Sequence, residues 1–285
     1  MPDFKIVTDS GCDFTAAEME QMDVIRVPLS VLFKGKLQDD FATDAERKIL
    51  YNGVREGEMP TTSAVNPDGW ANAMRPALDA GKDVLCLCFS SGLSTTYQSA
   101  VIAAEELKEE YPDRTINVVD SLCAALGQGL LVWHACAHRD AGESLAEVTA
   151  WVEENKLHIC HWVTVEDLNH LKRGGRVSAA TAMVGTMLNI KPIIHVNDEG
   201  KLVSVAKTRG RKAAIDYITK KVAEATDKEM VFVGHGDCPE DAEICANILK
   251  EKYGVKNVHI GYVGAVIGAH TGPGVLVVFF MGSTR

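Results

Sequence analysis

Polar residues that could do chemistry are concentrated in a few short stretches of this 285-residue chain. Residues 85–100 read LCLCFSSGLSTTYQSA, an apolar run that ends in Ser90-Ser91 and continues as Gly92-Leu93-Ser94-Thr95-Thr96. A serine placed there can attack a carbonyl, provided the turn carries the two glycines of a Gly-x-Ser-x-Gly elbow. It can instead hold an anion, using its hydroxyl and the free amides of a helix start. Only the first glycine is present, so the stretch is read as a binding element for a carboxylate or phosphate. The alternative is a serine-dependent hydrolase or acyltransferase that uses Ser94 or Ser91 with His270. That histidine lies in Val266-Ile-Gly-Ala-His270-Thr271-Gly-Pro-Gly274, where three glycines and a proline let a backbone approach a ligand closely.

Further candidates are cationic. Leu171-Lys172-Arg173-Gly-Gly-Arg176-Val-Ser reads as the end of a helix spanning about 165–173, followed by a break. Capping of the helix dipole accounts for Lys172, while Arg173 and Arg176 on either side of the glycine pair form a usable anion clamp. Lys207-Thr-Arg209-Gly-Arg211-Lys212 is a cationic patch that is either a solvated helix start or a dock for an acidic partner. His134 and His138 have the i, i+4 spacing of zinc ligands, but the glutamate next to the first is missing and no third ligand is evident, so a packed helix face is favoured. Neither a Walker loop nor a dinucleotide fingerprint occurs, since Gly261, Gly264 and Gly268 have the wrong spacing.

The elements that must position these residues follow from hydrophobic pattern and caps. Short runs at 4–10, 24–33, 84–89 and 116–119 read as strands, a helix opens at Asp13, and 44–56, 68–80, 96–111 and 123–141 read as helices. Strands alternating with helices imply right-handed crossovers and a mainly parallel sheet. Ligands in such sheets bind at the carboxyl ends of strands, and three strands here end in Thr8-Asp9-Ser10, Ser90-Ser91 and Asp120-Ser121. Each could merely cap the next helix. Taken with the Pro-flanked Thr61-Thr62-Ser63 loop, they point to a polar cleft. After about residue 157 the texture shifts to short strands at 158–163, 192–196, 202–207, 230–235, 258–263 and 275–281, with helices at 211–225 and 239–253. The expected architecture is α/β with two domains: an N-terminal mainly parallel sheet with flanking helices (1–157) and a C-terminal α/β domain with a mixed or antiparallel sheet (158–285).

Composition narrows the function classes. Lys and Arg number 29 against 39 Asp and Glu, a net charge of −10 that disfavours nucleic acid and gives at most transient membrane contact. No charged-then-apolar leader and no run of about 18 apolar residues is present, which reads as cytoplasmic. The eight cysteines form no C-x-x-C pair and read as buried free thiols.

At this point the residues resemble a family. Thr8-Asp9-Ser10, Pro60-Thr-Thr-Ser63, Ser90-Ser-Gly-Leu-Ser94, Val119-Asp-Ser121, Leu171-Lys-Arg-Gly-Gly-Arg-Val-Ser178, Leu188-Asn-Ile-Lys-Pro-Ile193 and Ile267-Gly-Ala-His-Thr-Gly-Pro-Gly274 are similar, in order, to the DegV family of bacterial fatty-acid-binding proteins. The resemblance implies two α/β domains with one long-chain fatty acid, such as palmitate, buried between them, and no cofactor. It implies a carboxylate held by Thr62 and Ser94, with Ser63, Arg173 and His270 in a second layer. It also implies a non-enzymatic binding subunit whose ligand is phosphorylated by a separate fatty acid kinase, for which Arg209 and Arg211 are candidate docking residues. The chain departs from the family at Thr95 and at Ala64-Val65. Burying ~14 methylenes at about 0.8 kcal/mol each supplies roughly 11 kcal/mol of gross transfer energy, so the tail gives affinity and the head gives orientation. Met183, Met187, Leu188, Ile190 and Ile193 are the candidate tail-lining residues.

Overall fold

In the computed structural model, residues 3–177 and 189–285 are described. Strand β1 (Phe4–Asp9) buries five of its six residues, as a parallel strand covered on both faces must. Helix α1 (Ala16–Gln21) starts in a Thr15/Glu18 capping box and leads to β2 (Val24–Val27). Pro28 has no amide to give a ladder, so the apolar stretch expected as one strand divides there. Its second half, β3 (Ser30–Phe33), turns into a hairpin with β4 (Lys36–Asp39). Next come α2 (Asp44–Arg55), β5 (Thr61–Ser63), α3 (Pro67–Asp79), β6 (Asp83–Cys88), α4 (Thr96–Glu110) and β7 (Ile116–Asp120). The parallel sheet has the order β2-β1-β6-β7. The Thr61-Thr62-Ser63 stretch, expected as a loop, is a strand, because β5 pairs antiparallel with β3 and places Thr62 opposite Val31. Helices α5 (Leu126–Asp140) and α6 (Leu145–Asn155) follow.

The second half contains β8 (Ile159–Thr164), α7 (Asn169–Arg173), β9 (Ile190–Val196), β10 (Leu202–Arg209), α8 (Arg211–Lys220), β11 (Met230–His235), α9 (Pro239–Tyr253), β12 (Asn257–Tyr262), α10 (Ala265–Thr271) and β13 (Leu276–Met281). Its sheet has the order β10-β9-β8-β13-β11-β12, antiparallel except for the β11–β12 pair. Two expectations change here. The helix expected over 165–173 is confined to α7. The glycine-rich stretch around His270 is largely a helix: Gly268 sits inside α10 against the Tyr51 ring, and Gly272 ends it at φ 74°, where a side chain would be strained.

Both sheets press on α5, so one apolar core runs through the molecule, joining Phe4 and Leu85 to Leu126, Leu130, Phe232 and Phe279. Polar ties lie along the same seam, and those to Tyr262, Val263 and Gly200 cross it. The buried Arg47 donates to the carbonyls of Asp13 at 2.8 Å and Phe14 at 3.1 Å, and reaches that of Tyr262 at 3.5 Å. Tyr51 donates to Val263 O at 2.8 Å, and Ser90 to Gly200 O at 2.8 Å.

Candidate functional site

Between the two sheets lies a cavity of about 400 Å³, within the size range of small-molecule sites. One end is polar, and four segments build it. Strand β5 supplies Thr62 and Ser63, the approach to α4 supplies Ser94, Thr95 and Gln98, and α10 supplies His270, with Arg176 arriving from the turn after α7. Thr62 Oγ1 and His270 Nε2 are 2.8 Å apart. Ser94 Oγ accepts the Thr96 amide at 3.2 Å and pairs with Thr96 Oγ1 at 2.8 Å, so its hydroxyl is held at the helix start. Glycine is required at position 174: a Cβ there would lie 2.2 Å from His270 Nδ1, so only glycine lets the end of α7 pack against the ring.

Burial pushes the His270 pKa down to about 4, assisted by the charge of Arg176. The ring is therefore neutral at neutral pH. With the proton on Nε2 it donates to Thr62 Oγ1 and leaves the threonine O–H free to donate to an anion in the cavity. A histidine whose folded pKa is depressed below 6.5 binds fewer protons folded than unfolded between pH 6.5 and 4. Its contribution to stability is thus whole above pH 6.5 and lost progressively down to pH 4, up to about 3 kcal/mol. Asp9, whose carboxyl is pushed up to about 6 by burial, carries the opposite sign. The expected result is that His270→Gln flattens the fall in stability between pH 6.5 and 4, measured as the difference in denaturation free energy from the wild type. An identical acid limb in both proteins would contradict the assignment.

The rest of the cavity is mostly apolar, and strand parity decides which strand residues face it. Val163 and His161 of β8 face it beside their β13 partners Val277 and Phe279, as do Ile194 and Val196 of β9. Ile193 points to the other face and packs with Trp162 and Ile215, which corrects the expectation that it lines the tail. A shift of one residue in a strand exchanges the faces. Ile190, at the start of β9, is half-buried and outside the set of lining residues. Met183, Met187 and Leu188 lie outside the described residues.

The cationic candidates also divide. Arg173 is exposed, and its Nη2 reaches back to His170 Nδ1 at 2.8 Å, away from the cavity. The Gly174-Gly175 turn, with Gly175 at φ 69°, redirects the chain, and Arg176 is the cation that lines the cavity. Arg176 Nε donates to Leu93 O at 3.4 Å, which joins the α7 turn to the Ser94 loop. Arg209 ends β10 exposed. Arg211 is held by Asp241 at 2.8 Å and Glu166 at 3.5 Å.

Several polar strand ends turn out to hold loops. Asp9 accepts the amides of Phe89 at 2.7 Å and Gly11 at 2.9 Å, and Asp120 those of Ser91 and Leu122, both at 3.1 Å. His134 and His138 stack on Trp151 with centroids 5.3 and 4.5 Å apart, the packed-face arrangement. His270 Nε2 meets Thr62 rather than Ser91 or Ser94, the geometry of a binding pocket rather than of a serine–histidine pair. His161 is not among the residues that the sequence motifs single out. Its signal was the alternation of ICHWVT in β8, which puts it on the same face as Val163.

Comparisons with known proteins give the chain's family and fold. The DegV family model, described as "Uncharacterised protein, DegV family", matches residues 3–283. A DegV domain-containing protein of Clostridium perfringens is 43% identical over 289 residues, covering 100% of this chain and 99% of its own. A solved DegV family protein of Thermus thermophilus, described by its fatty acid binding, superposes with a TM-score of 0.87 at 32% identity, covering 99% of this chain and 100% of that one. DegV of Bacillus subtilis, described as a fatty acid binding protein, gives 0.83 at 30% identity, with 99% and 100% covered.

Proposed function

This chain belongs to the DegV family, and on that premise we propose that it binds one long-chain fatty acid and presents the carboxylate to a separate ATP-dependent kinase. The observation that carries the reading is the polarity of the cavity. Hydroxyls of Thr62 and Ser94 with neutral His270 stand at one end, and the walls beyond are apolar. A buried carboxylate needs such donors, and a methylene chain needs such walls. Ser63 and Arg176 complete the head-group end.

Exposure supports presentation to a partner. Thr95 and Gln98 line the cavity yet are exposed, whereas His161 and Phe279 are buried, so the head-group end is the one that faces solvent. A carboxylate oxygen held there can attack the γ-phosphorus of ATP carried by another protein, giving acyl phosphate and ADP. No described helix is long and apolar enough to cross a membrane, and a cytoplasmic setting is favoured by cysteines of which all but Cys238 are buried thiols.

Of the two docking candidates, Arg209 is the better placed, because Arg211 is already paired. Arg209→Glu is expected to slow kinase-dependent acyl phosphate formation by about tenfold at low salt while leaving fatty acid affinity within twofold. An unchanged rate would remove Arg209 from the partner surface.

A further inference from the structure

The loop 121–125 between β7 and α5 has an unusual backbone. Leu122 lies at φ 52° and Ala125 at φ 57°, ψ −151°, a region otherwise nearly confined to glycine. Such a conformation persists only where the surroundings over-determine it, and here they do. Ser90 N donates to Cys123 O at 3.0 Å, Leu122 N to Asp120 Oδ1 at 3.1 Å, and Ala124 N to His161 Nε2 at 3.3 Å.

Arg285 provides the largest brace. Its Nε donates to Ile159 O at 3.1 Å; Nη1 donates to Leu122 O at 2.8 Å and Asn197 O at 3.1 Å; Nη2 donates to Lys156 O at 2.7 Å and Cys123 Sγ at 3.1 Å. All five guanidinium donors are used, with no carboxylate among the acceptors. They join the start of β8, the end of α6, the β9–β10 turn and the strained loop.

Of this braced region, Ala124, Ala125 and His161 line the cavity, away from the Thr62–His270 pair. Val275, Val277 and Phe279 line the cavity in succession, starting just after α10 and His270, and Phe279 is about 13 Å along the strand from Val275. Phe279 pairs with His161, their rings 5.3 Å apart, and Ala124 and Ala125 line the same cavity. His161 is fixed through both nitrogens, by Ile159 O at 3.0 Å and by the Ala124 amide.

We propose that loop 121–125, held rigid by Arg285, is the stop for the acyl tail, so that Arg285 is a positioning residue for chain-length selectivity. The inference rests on the fatty-acid reading above. A rigid stop gives a sharp limit: affinity rises with each added pair of methylenes until the tail meets the loop and then falls. Loosening the brace moves that limit outward, while the Thr62–His270 and Ser94–Thr96 pairs of the head-group end, which Arg285 does not contact, stay in place.

The test measures binding of octanoate, myristate, palmitate, stearate and arachidate to delipidated wild type, Arg285→Ala, Arg285→Lys and Ala125→Gly. In Arg285→Ala the affinity for the first acid beyond the wild-type limit is expected to rise about tenfold relative to the wild-type optimum. Octanoate, too short to reach the loop, should stay within twofold. Lysine, with three donors, should give an intermediate shift, and Ala125→Gly, which relieves the strained φ and removes the lining methyl, should also move the limit outward. The last two variants make the comparison independently of whether Arg285→Ala folds. An unchanged length profile in the folded variants, or a uniform loss that includes octanoate, would overturn the proposal. Failure of the wild type to bind any of the acids would instead overturn the functional reading on which it rests.

Discussion

Combining Thr62→Val with Ser94→Ala is expected to weaken binding of palmitate by about 100-fold or more, with little change in fold. Each substitution removes a hydroxyl from the polar end of the cavity, and a half-buried carboxylate deprived of a donor costs about 1–3 kcal/mol. Two such losses sum to about 2–6 kcal/mol if fully additive, and they add imperfectly because both hydroxyls serve the same carboxylate. Thr62→Val preserves shape but also leaves His270 Nε2 without its 2.8 Å partner. The control is the matching fatty alcohol, which buries the same tail without a charge; its affinity should change by less than about threefold. Titration calorimetry or displacement of a fluorescent fatty acid reads both. Equal loss for acid and alcohol would show that the hydroxyls shape the cavity rather than hold the carboxylate.

Val277→Glu is expected to have the larger effect, a loss of about thousandfold or more at pH 8. Val277 is 4% exposed and lines the apolar part of the cavity beside Val163 and Phe279. Methylenes laid against an ionised carboxylate either force it to give up hydration or force it to take up a proton, at several kcal/mol. The effect carries its own signature, since protonating the new side chain removes the charge and affinity should recover partly as pH falls toward 6. A thermal melt close to that of the wild type separates loss of binding from loss of fold. Unimpaired binding would mean that the tail does not run along β13.

Much of this site is legible from local pattern, and what is not depends on distant pairing. The hydroxyl run after β6 reads correctly as a helix start because its signal is contiguous, from Ser90 through Thr96. Thr62 reads as a loop residue because three residues are too few for a strand pattern, and only pairing with β3 makes them one. Arg173 and Arg176 are indistinguishable by type; the turn at Gly174-Gly175, set by packing against His270, decides which of them reaches the cavity. Ile193 and Ile194 differ only in parity, which an apolar strand buried on both faces does not reveal. Two local signals stand unused in the sequence reading: Pro28, which splits the run read as one strand over 24–33, and the Ser144/Glu147 capping box that starts α6. The brace at Arg285 was not, since all five of its bonds are to residues 88 or more positions away.

The central claim is that the seam holds a fatty acid by its carboxylate without chemistry of its own. Protein purified without detergent or organic solvent, then denatured and extracted for mass spectrometry, tests it most directly. The account predicts about one equivalent of intact long-chain fatty acid per chain, and no adduct on Ser94 or Ser91 after exposure to a serine-reactive fluorophosphonate. A chain that releases no fatty acid, takes up none when palmitate is offered, and is labelled at Ser94 would contradict it.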